Sequence, residues 1–155
     1  MDFQIRALDE RPFHHLFGEV PEVLARQGIQ RMTVDHHPGY PCRVSLKDVE
    51  IGETVLLMNY EHLPVASPYR SSHAIFVQEG SSQAVVEQNA IPGMLRHRLL
   101  SVRSFDKAGM MIDADVVDGH QLEPVIDRML SNGSVDFLHL HNARRGCFLA
   151  RVDRV

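Results

Sequence analysis

Residues 110–142 show the pattern of a strand, a helix and a second strand, and this pattern limits the folds open to the chain. The central part has the apolar spacing of an amphipathic helix, with one face formed by Leu122, Val125, Ile126, Met129 and Leu130. Asn132 and Gly133 follow, and they are residues that commonly end a helix. If the two strands are parallel neighbours, the crossover is right-handed and the helix covers one face of the sheet.

Most of the remaining chain predicts strands, because apolar and polar residues alternate or short apolar runs lie between turns. The predicted strands are residues 3–8, 29–35, 42–46, 54–60, 74–77, 99–105, 110–117, 135–142 and 147–152, with a hairpin joining the third and fourth. A chain of 155 residues can bury its own core. The sequence therefore predicts one α+β domain over residues 1–155, with a mostly antiparallel sheet and a C-terminal strand-helix-strand-strand unit.

Charge and hydropathy exclude several classes of partner. The formal net charge of −4 gives no basic excess for a nucleic acid, and no apolar run approaches the roughly 20 residues that span a bilayer. The first residues do not place a basic segment before an apolar one, as a secretory signal would. We therefore expect a cytoplasmic protein, in which a structural disulfide between Cys42 and Cys147 is not expected.

Chemically active side chains are densest in the predicted strand 135–142 and the turn after it. His139 and His141 are two residues apart, so both project from the same face of a strand. If Leu138 and Leu140 face the helix, the two histidines face away from it. On a neighbouring parallel strand, Asp113 and Asp115 are expected beside them, because Ile112, Ala114 and Val116 would then take the helix side.

Three interpretations of this predicted His/Asp surface remain open. Imidazole and carboxylate groups together suit a divalent transition metal, with His139, His141, Asp113 and Asp115 as candidate ligands. A carboxylate–histidine pair also suits acid–base catalysis, for which the candidates are His141, His139, Asp113 and Cys147. The third interpretation is a solvated face of a sheet that is covered on one side only.

Basic and hydroxyl side chains form a second candidate site. A guanidinium followed by two hydroxyl groups, as in Arg70, Ser71 and Ser72, can hold an anion. The candidate ligand-binding set is Arg70, Ser71, Ser72, Asn142, Arg144 and Arg43. The alternative is that these side chains bind the backbone of neighbouring loops.

Five runs of the sequence occur together in a characteristic order: residues 41–46, 52–57, 68–72, 113–119 and 139–147. In these runs the chain resembles a bacterial family catalogued as domain of unknown function 1203. The resemblance implies a single bacterial cytoplasmic domain and carries no activity, cofactor or catalytic residue. Two functional hypotheses follow from the residues. The first is a domain, enzymatic or not, that binds a small anionic molecule or a metal. The second is a non-enzymatic interaction or stress-related protein, with a homodimer as one form, whose polar residues are structural.

Overall fold

The computed structural model describes all 155 residues and contains eight strands and three short α-helices. The strands are β1 (Phe3–Arg6), β2 (Gln30–Thr33), β3 (Thr54–Leu63), β4 (Ser71–Gln78), β5 (Leu99–Phe105), β6 (Met111–Asp118), β7 (Phe137–Asn142) and β8 (Phe148–Arg154). The helices are α1 (Pro21–Arg26), α2 (Gly93–Arg96) and α3 (Leu122–Leu130), and two 3-10 helices cover Arg11–Leu16 and Gly119–Gln121. None of the helices has the length and apolar character needed to span a bilayer.

The strands form two antiparallel sheets. The larger has the order β1-β8-β7-β5-β6, and the smaller has the order β2-β3-β4. β4 contacts β8, so the two sheets meet beside the C-terminal strands. This strand-rich α+β architecture, with its C-terminal strand-helix-strand-strand unit, confirms the predicted fold class, whereas the single domain over residues 1–155 stays a prediction.

Helix α3 packs on one face of the five-stranded sheet. Its buried side chains are Leu122, Ile126, Met129 and Leu130, and they share a hydrophobic cluster with Leu138 and Leu140 of β7. A second cluster lies around the three-stranded sheet and includes Leu56, Ile75 and Val77. The predicted contact between the helix and the two leucines of β7 is therefore confirmed.

Two details of the predicted topology are wrong. Residues 42–46 form a turn with isolated bridges, and β3 pairs instead with β2 and β4. In addition, β6 and β7 run parallel to each other but are not neighbours, because β5 lies between them and pairs antiparallel with both. This intervening strand changes which residues of β6 face the helix.

Candidate functional site

His139 and His141 lie on the face of the five-stranded sheet that is turned away from α3. In the register of β5 and β7, His139 lies opposite Arg103, and His141 lies opposite Ser101. Directly opposed residues project from the same face, so Arg103 and both histidines share one surface. Both imidazoles are buried, with exposed fractions of 2% and 0%. The prediction that the histidine face lies opposite the helix is confirmed, whereas the interpretation as a solvated face is wrong.

Asp113 and Asp115 do not join the histidines. Their register partners on β5 are Ser104 and Val102, which place both aspartates on the helix side of the sheet. There Arg128 of α3 donates to Asp113 at 2.8 Å and to Asp115 at 2.7 Å. The predicted juxtaposition of the aspartates with His139 and His141 is thus incorrect, because the register is transmitted through the intervening strand β5.

Two histidines that the sequence analysis did not select complete the cluster. His62 lies near the end of β3, at a register shift between Glu61 and Leu63, and His73 lies near the start of β4. A bulge of this kind changes the direction in which a side chain points. Together with His139 and His141, these residues form what we call the histidine cluster.

The rings of the histidine cluster are in direct contact. Nε2 of His62 lies 2.6 Å from Nδ1 of His73, and Nδ1 of His62 lies 3.2 Å from Nδ1 of His139. One ring nitrogen from each of His62, His73 and His141 lies within 4.8 Å of the other two. The ring of Phe148 stacks on His62 at a centroid distance of 4.9 Å and closes one side of the cluster.

His141 has one nitrogen without a partner. Its Nδ1 lies 2.8 Å from the carbonyl oxygen of Gly146, and a carbonyl can only accept a hydrogen bond. Nδ1 therefore carries the proton in the neutral ring, and Nε2 presents a lone pair. This Nε2 atom is fully buried and has no hydrogen-bond partner.

Burial keeps the cluster uncharged at neutral pH. It lowers the pKa of His62 to about 4, of His139 to about 2 and of His141 to about 3, and it also lowers the pKa of His73. The positive charge of Arg103 adds to the lowering of the pKa of all four. A neutral imidazole is the form that binds a metal, so no proton has to be displaced first.

A cleft of about 860 Å³ lies beside the histidine cluster. His73 belongs to both, since it also lines the cleft wall. The other lining residues are Met32, His36, Gly39, Tyr40, Pro41, Arg43, Leu57, Ala74, Phe76, Arg98, Asn142, Arg145 and Cys147. The cluster therefore meets this cleft at His73, and the cleft carries three arginines and no carboxylate.

The structure separates the residues predicted to bind a ligand. Arg43 and Asn142 line the cleft together with the candidate Cys147. Arg70 is exposed and donates to Glu61 at 2.9 Å, while the hydroxyl of Ser71 donates to the carbonyl of Tyr69. Ser72 and Arg144 are exposed and do not line the cleft. The serine hydroxyls and Arg70 thus do not converge on the cleft.

The sequence contained a weak signal for the two missed histidines. His73 directly precedes the predicted strand 74–77, and His62 follows the predicted strand 54–60 by two residues, just before Pro64. Pairing β3 with β4 would have brought His62 and His73 to the same end of one hairpin.

A family model described as "Protein of unknown function (DUF1203)" matches residues 39–154 of the chain. The matched range contains all four histidines of the cluster and most residues that line the cleft. No curated protein and no solved structure matches the chain.

Proposed function

The chain belongs to the DUF1203 family, and from this starting point we propose that it binds a divalent transition metal through His62, His73 and His141. Imidazole nitrogen is a ligand for zinc, copper, iron and nickel, and three histidines hold the zinc ion of some catalytic sites. The ligands differ from the set predicted from sequence, in which His141 was accompanied by His139 and by two aspartates.

The buried lone pair of His141 carries the proposal. A buried acceptor without a partner costs about 1–3 kcal/mol relative to a satisfied one. Here Nε2 of His141 has no partner, and one ring nitrogen of His141 lies within 4.8 Å of ring nitrogens from His62 and His73. A metal ion bound among the three rings would satisfy this lone pair.

The proton positions of the cluster agree with this assignment. If Nε2 of His62 binds the metal, its Nδ1 carries the proton and donates to Nδ1 of His139. His139 then acts as a positioning residue that orients a ligand, as partners of metal-bound histidines commonly do. The carbonyl of Gly146 has the same role toward His141. At 2.6 Å, His62 and His73 share a hydrogen bond that coordination would replace.

Three histidines leave a coordination position for water or a substrate atom, which is typical of catalytic zinc rather than structural zinc. His73 lines the cleft, so this position would be reached from there. The charge of Arg103 on the histidine face favours an anion, such as hydroxide or a ligand carboxylate, on the bound ion. We infer that metal-assisted chemistry on a small molecule is the function that the site supports best.

The alternative is that the histidines have a structural role and bind no metal. It is favoured by the two imidazole–imidazole hydrogen bonds, which satisfy His62 without a metal. Metal analysis separates the two possibilities. Untagged protein purified without chelator is analysed by mass spectrometry for metals, and chelator-treated protein is titrated with zinc. We expect about one ion per chain, as three ligand residues can hold.

Variants assign the ion to the cluster. His73→Ala should lose the metal, because it removes a partly exposed ligand with little effect on the core, whereas His120→Ala, an exposed histidine outside the cluster, should retain it. His141→Gln serves as a second ligand variant, and near-ultraviolet circular dichroism checks that each variant is folded. Metal-free wild type after zinc titration would establish the structural alternative, and a folded His73→Ala that retains a full equivalent would contradict the assignment of the ion to the cluster.

A further inference from the structure

We propose that the cleft binds an organic carboxylate, whose anionic group lies between Arg43 and Arg145 and whose apolar body contacts Tyr40 and Phe76. The four side chains line the same cleft. This carboxylate site does not require the metal, so it can be tested independently of the proposed metal centre.

Arg43 is a buried cation without an anionic partner. Its exposed fraction is 1%, and it forms no ion pair. Nε donates to the carbonyl of Phe148 at 2.7 Å, and Nη1 donates to the carbonyl of Pro41. Arginines are rarely buried without a counter-charge, because desolvating a charge is costly. These two carbonyls fix the guanidinium plane beside the cleft but leave its charge uncompensated.

The outer nitrogen of this guanidinium is available to a ligand. Nη2 of Arg43 donates to no oxygen atom of the protein, and it is not among the fully enclosed polar atoms without a partner. The side chains that favour its charge are Cys147, which lies within hydrogen-bonding reach of the guanidinium, and Cys42. A carboxylate can accept from Nη1 and Nη2 together, which is the geometry that guanidinium groups favour.

The rest of the cleft is positive as well. Arg145 is exposed and forms no ion pair, whereas Arg98 is neutralised by Asp48, to which its Nη1 donates at 3.1 Å. No aspartate or glutamate lines the cleft, and the side-chain amide of Asn142 adds a neutral polar group. The cleft therefore attracts anions, with Arg43 at a fixed position and Arg145 at an adaptable one.

An apolar wall indicates that the ligand is larger than an inorganic anion. The rings of Tyr40 and Phe76 have centroids 5.0 Å apart, and Met32 and Leu57 line the same cleft. The volume of about 860 Å³ lies in the range of sites for small organic molecules, roughly 300–1,000 Å³. An acid with an aromatic or aliphatic body matches both parts of the cleft. Because His73 also lines it, such a ligand would lie next to the proposed metal centre.

Calorimetric titration of chelator-treated protein with phenylbutyrate tests the proposal. Its uncharged amide and inorganic phosphate are the comparison probes. We expect phenylbutyrate to bind at least about tenfold more tightly than either, since hydrogen bonds to charged groups and apolar burial both contribute. Equal binding of the amide, binding of phosphate as tight as that of the acid, or no binding of the acid would overturn the proposal.

Neighbouring arginines provide matched variants. Arg145→Ala should weaken phenylbutyrate binding about three- to tenfold, whereas Arg144→Ala, at a neighbouring exposed residue outside the cleft, should leave it unchanged. Arg43→Met should abolish the preference for the acid over the amide, and thermal unfolding confirms that this variant is folded. An unchanged preference in folded Arg43→Met would contradict the assignment. Because the ion is removed throughout, a failed metal analysis and a failed carboxylate titration are independent results.

Discussion

The carbonyl of Gly146 holds the ring of His141 in one tautomer, with 2.8 Å between the oxygen and Nδ1. Gly146 has a φ of +81°, a conformation that glycine adopts without strain, in the turn between β7 and β8. The same turn is closed by the amide of Gly146, which donates to the carbonyl of Asn142 at 2.7 Å. The backbone of one tight turn thus occupies Nδ1 of His141 and leaves its buried Nε2 without a partner.

His139 should tune metal affinity without being a ligand. It contacts His62 through Nδ1 at 3.2 Å and is not part of the group of three converging nitrogens. In His139→Phe we expect a full equivalent of zinc at saturation, with Kd raised about 10- to 100-fold, as for other partners of metal-bound histidines. Competition with a chromogenic chelator measures the affinity. A complete loss of binding, equal to that of His141→Gln, would make His139 a ligand.

Stability should fall when the pH of metal-free protein is lowered from 7 to 5. Burial lowers the pKa of His62, His139 and His141 in the folded state, while in the unfolded chain they titrate near 6.5. Below pH 6.5 the unfolded state therefore binds more protons than the folded state. The free energy of unfolding falls as the pH is lowered. Each such histidine lowers the free energy of unfolding by up to about 1.4 kcal/mol for each unit by which the pH falls in this window.

Urea unfolding at pH 7, 6 and 5 measures this dependence, in a window where most carboxylates stay ionised. The charges that face the cluster are those of Arg103 on β5, Arg151 on β8 and, beside His73, Arg43. His139→Phe should reduce the dependence of the free energy of unfolding on pH by the contribution of one histidine. A free energy of unfolding that does not change between pH 7 and 5 would contradict the buried, neutral cluster.

Local periodicity predicted the face of His139 and His141 correctly. Side chains alternate along β7, and Leu138 and Leu140 had to bury against the amphipathic face of α3. The histidines could then only project from the other face. This inference needed no knowledge of strand order, which is why it holds although the assumed neighbour of β7 was wrong.

The positions of the β6 aspartates, His62 and His73 relative to β7 could not be predicted, because they depend on the order of the strands and the contact between the sheets. Placing the aspartates of β6 required knowing that β5 intervenes, and apolar Ile112 and Val116 suggested the opposite face. In the structure these two side chains are exposed on the edge strand, with exposed fractions of 39% and 58%. Bringing His62 and His73 to β7 required contact between two sheets, which no local pattern encodes.

Asp113 should be dispensable for metal binding. Its carboxylate pairs with Arg128 on the helix side of the sheet, where both side chains are about half exposed. We expect Asp113→Asn to retain the metal content of the wild type and to lose no more than about 1 kcal/mol of stability, because exposed ion pairs contribute little. Metal analysis and urea unfolding of this variant provide the two measurements. Loss of the ion would restore Asp113 as a ligand and refute the register described above.

Gly119 should be irreplaceable for a steric reason that is independent of the site. It begins the 3-10 turn that leads into α3, and its amide donates to the carbonyl of Arg98 at 2.9 Å. A Cβ at this position would lie 1.9 Å from the carbonyl oxygen of Leu95, which is backbone and cannot rotate away. Gly119→Ala should therefore separate α2 from the start of α3 and cost about 1–3 kcal/mol or more.

Gly133 provides the matched control for this substitution. A Cβ there meets no atom within 4 Å, and its φ is not positive. Gly133→Ala should leave stability unchanged or raise it by up to about 1 kcal/mol, since alanine reduces the freedom of the unfolded chain. Urea unfolding of the two variants at pH 7 gives the comparison. If Gly119→Ala were as stable as Gly133→Ala, the close approach of Gly119 to Leu95 would be incorrect, and with it the placement of α2 against the turn before α3.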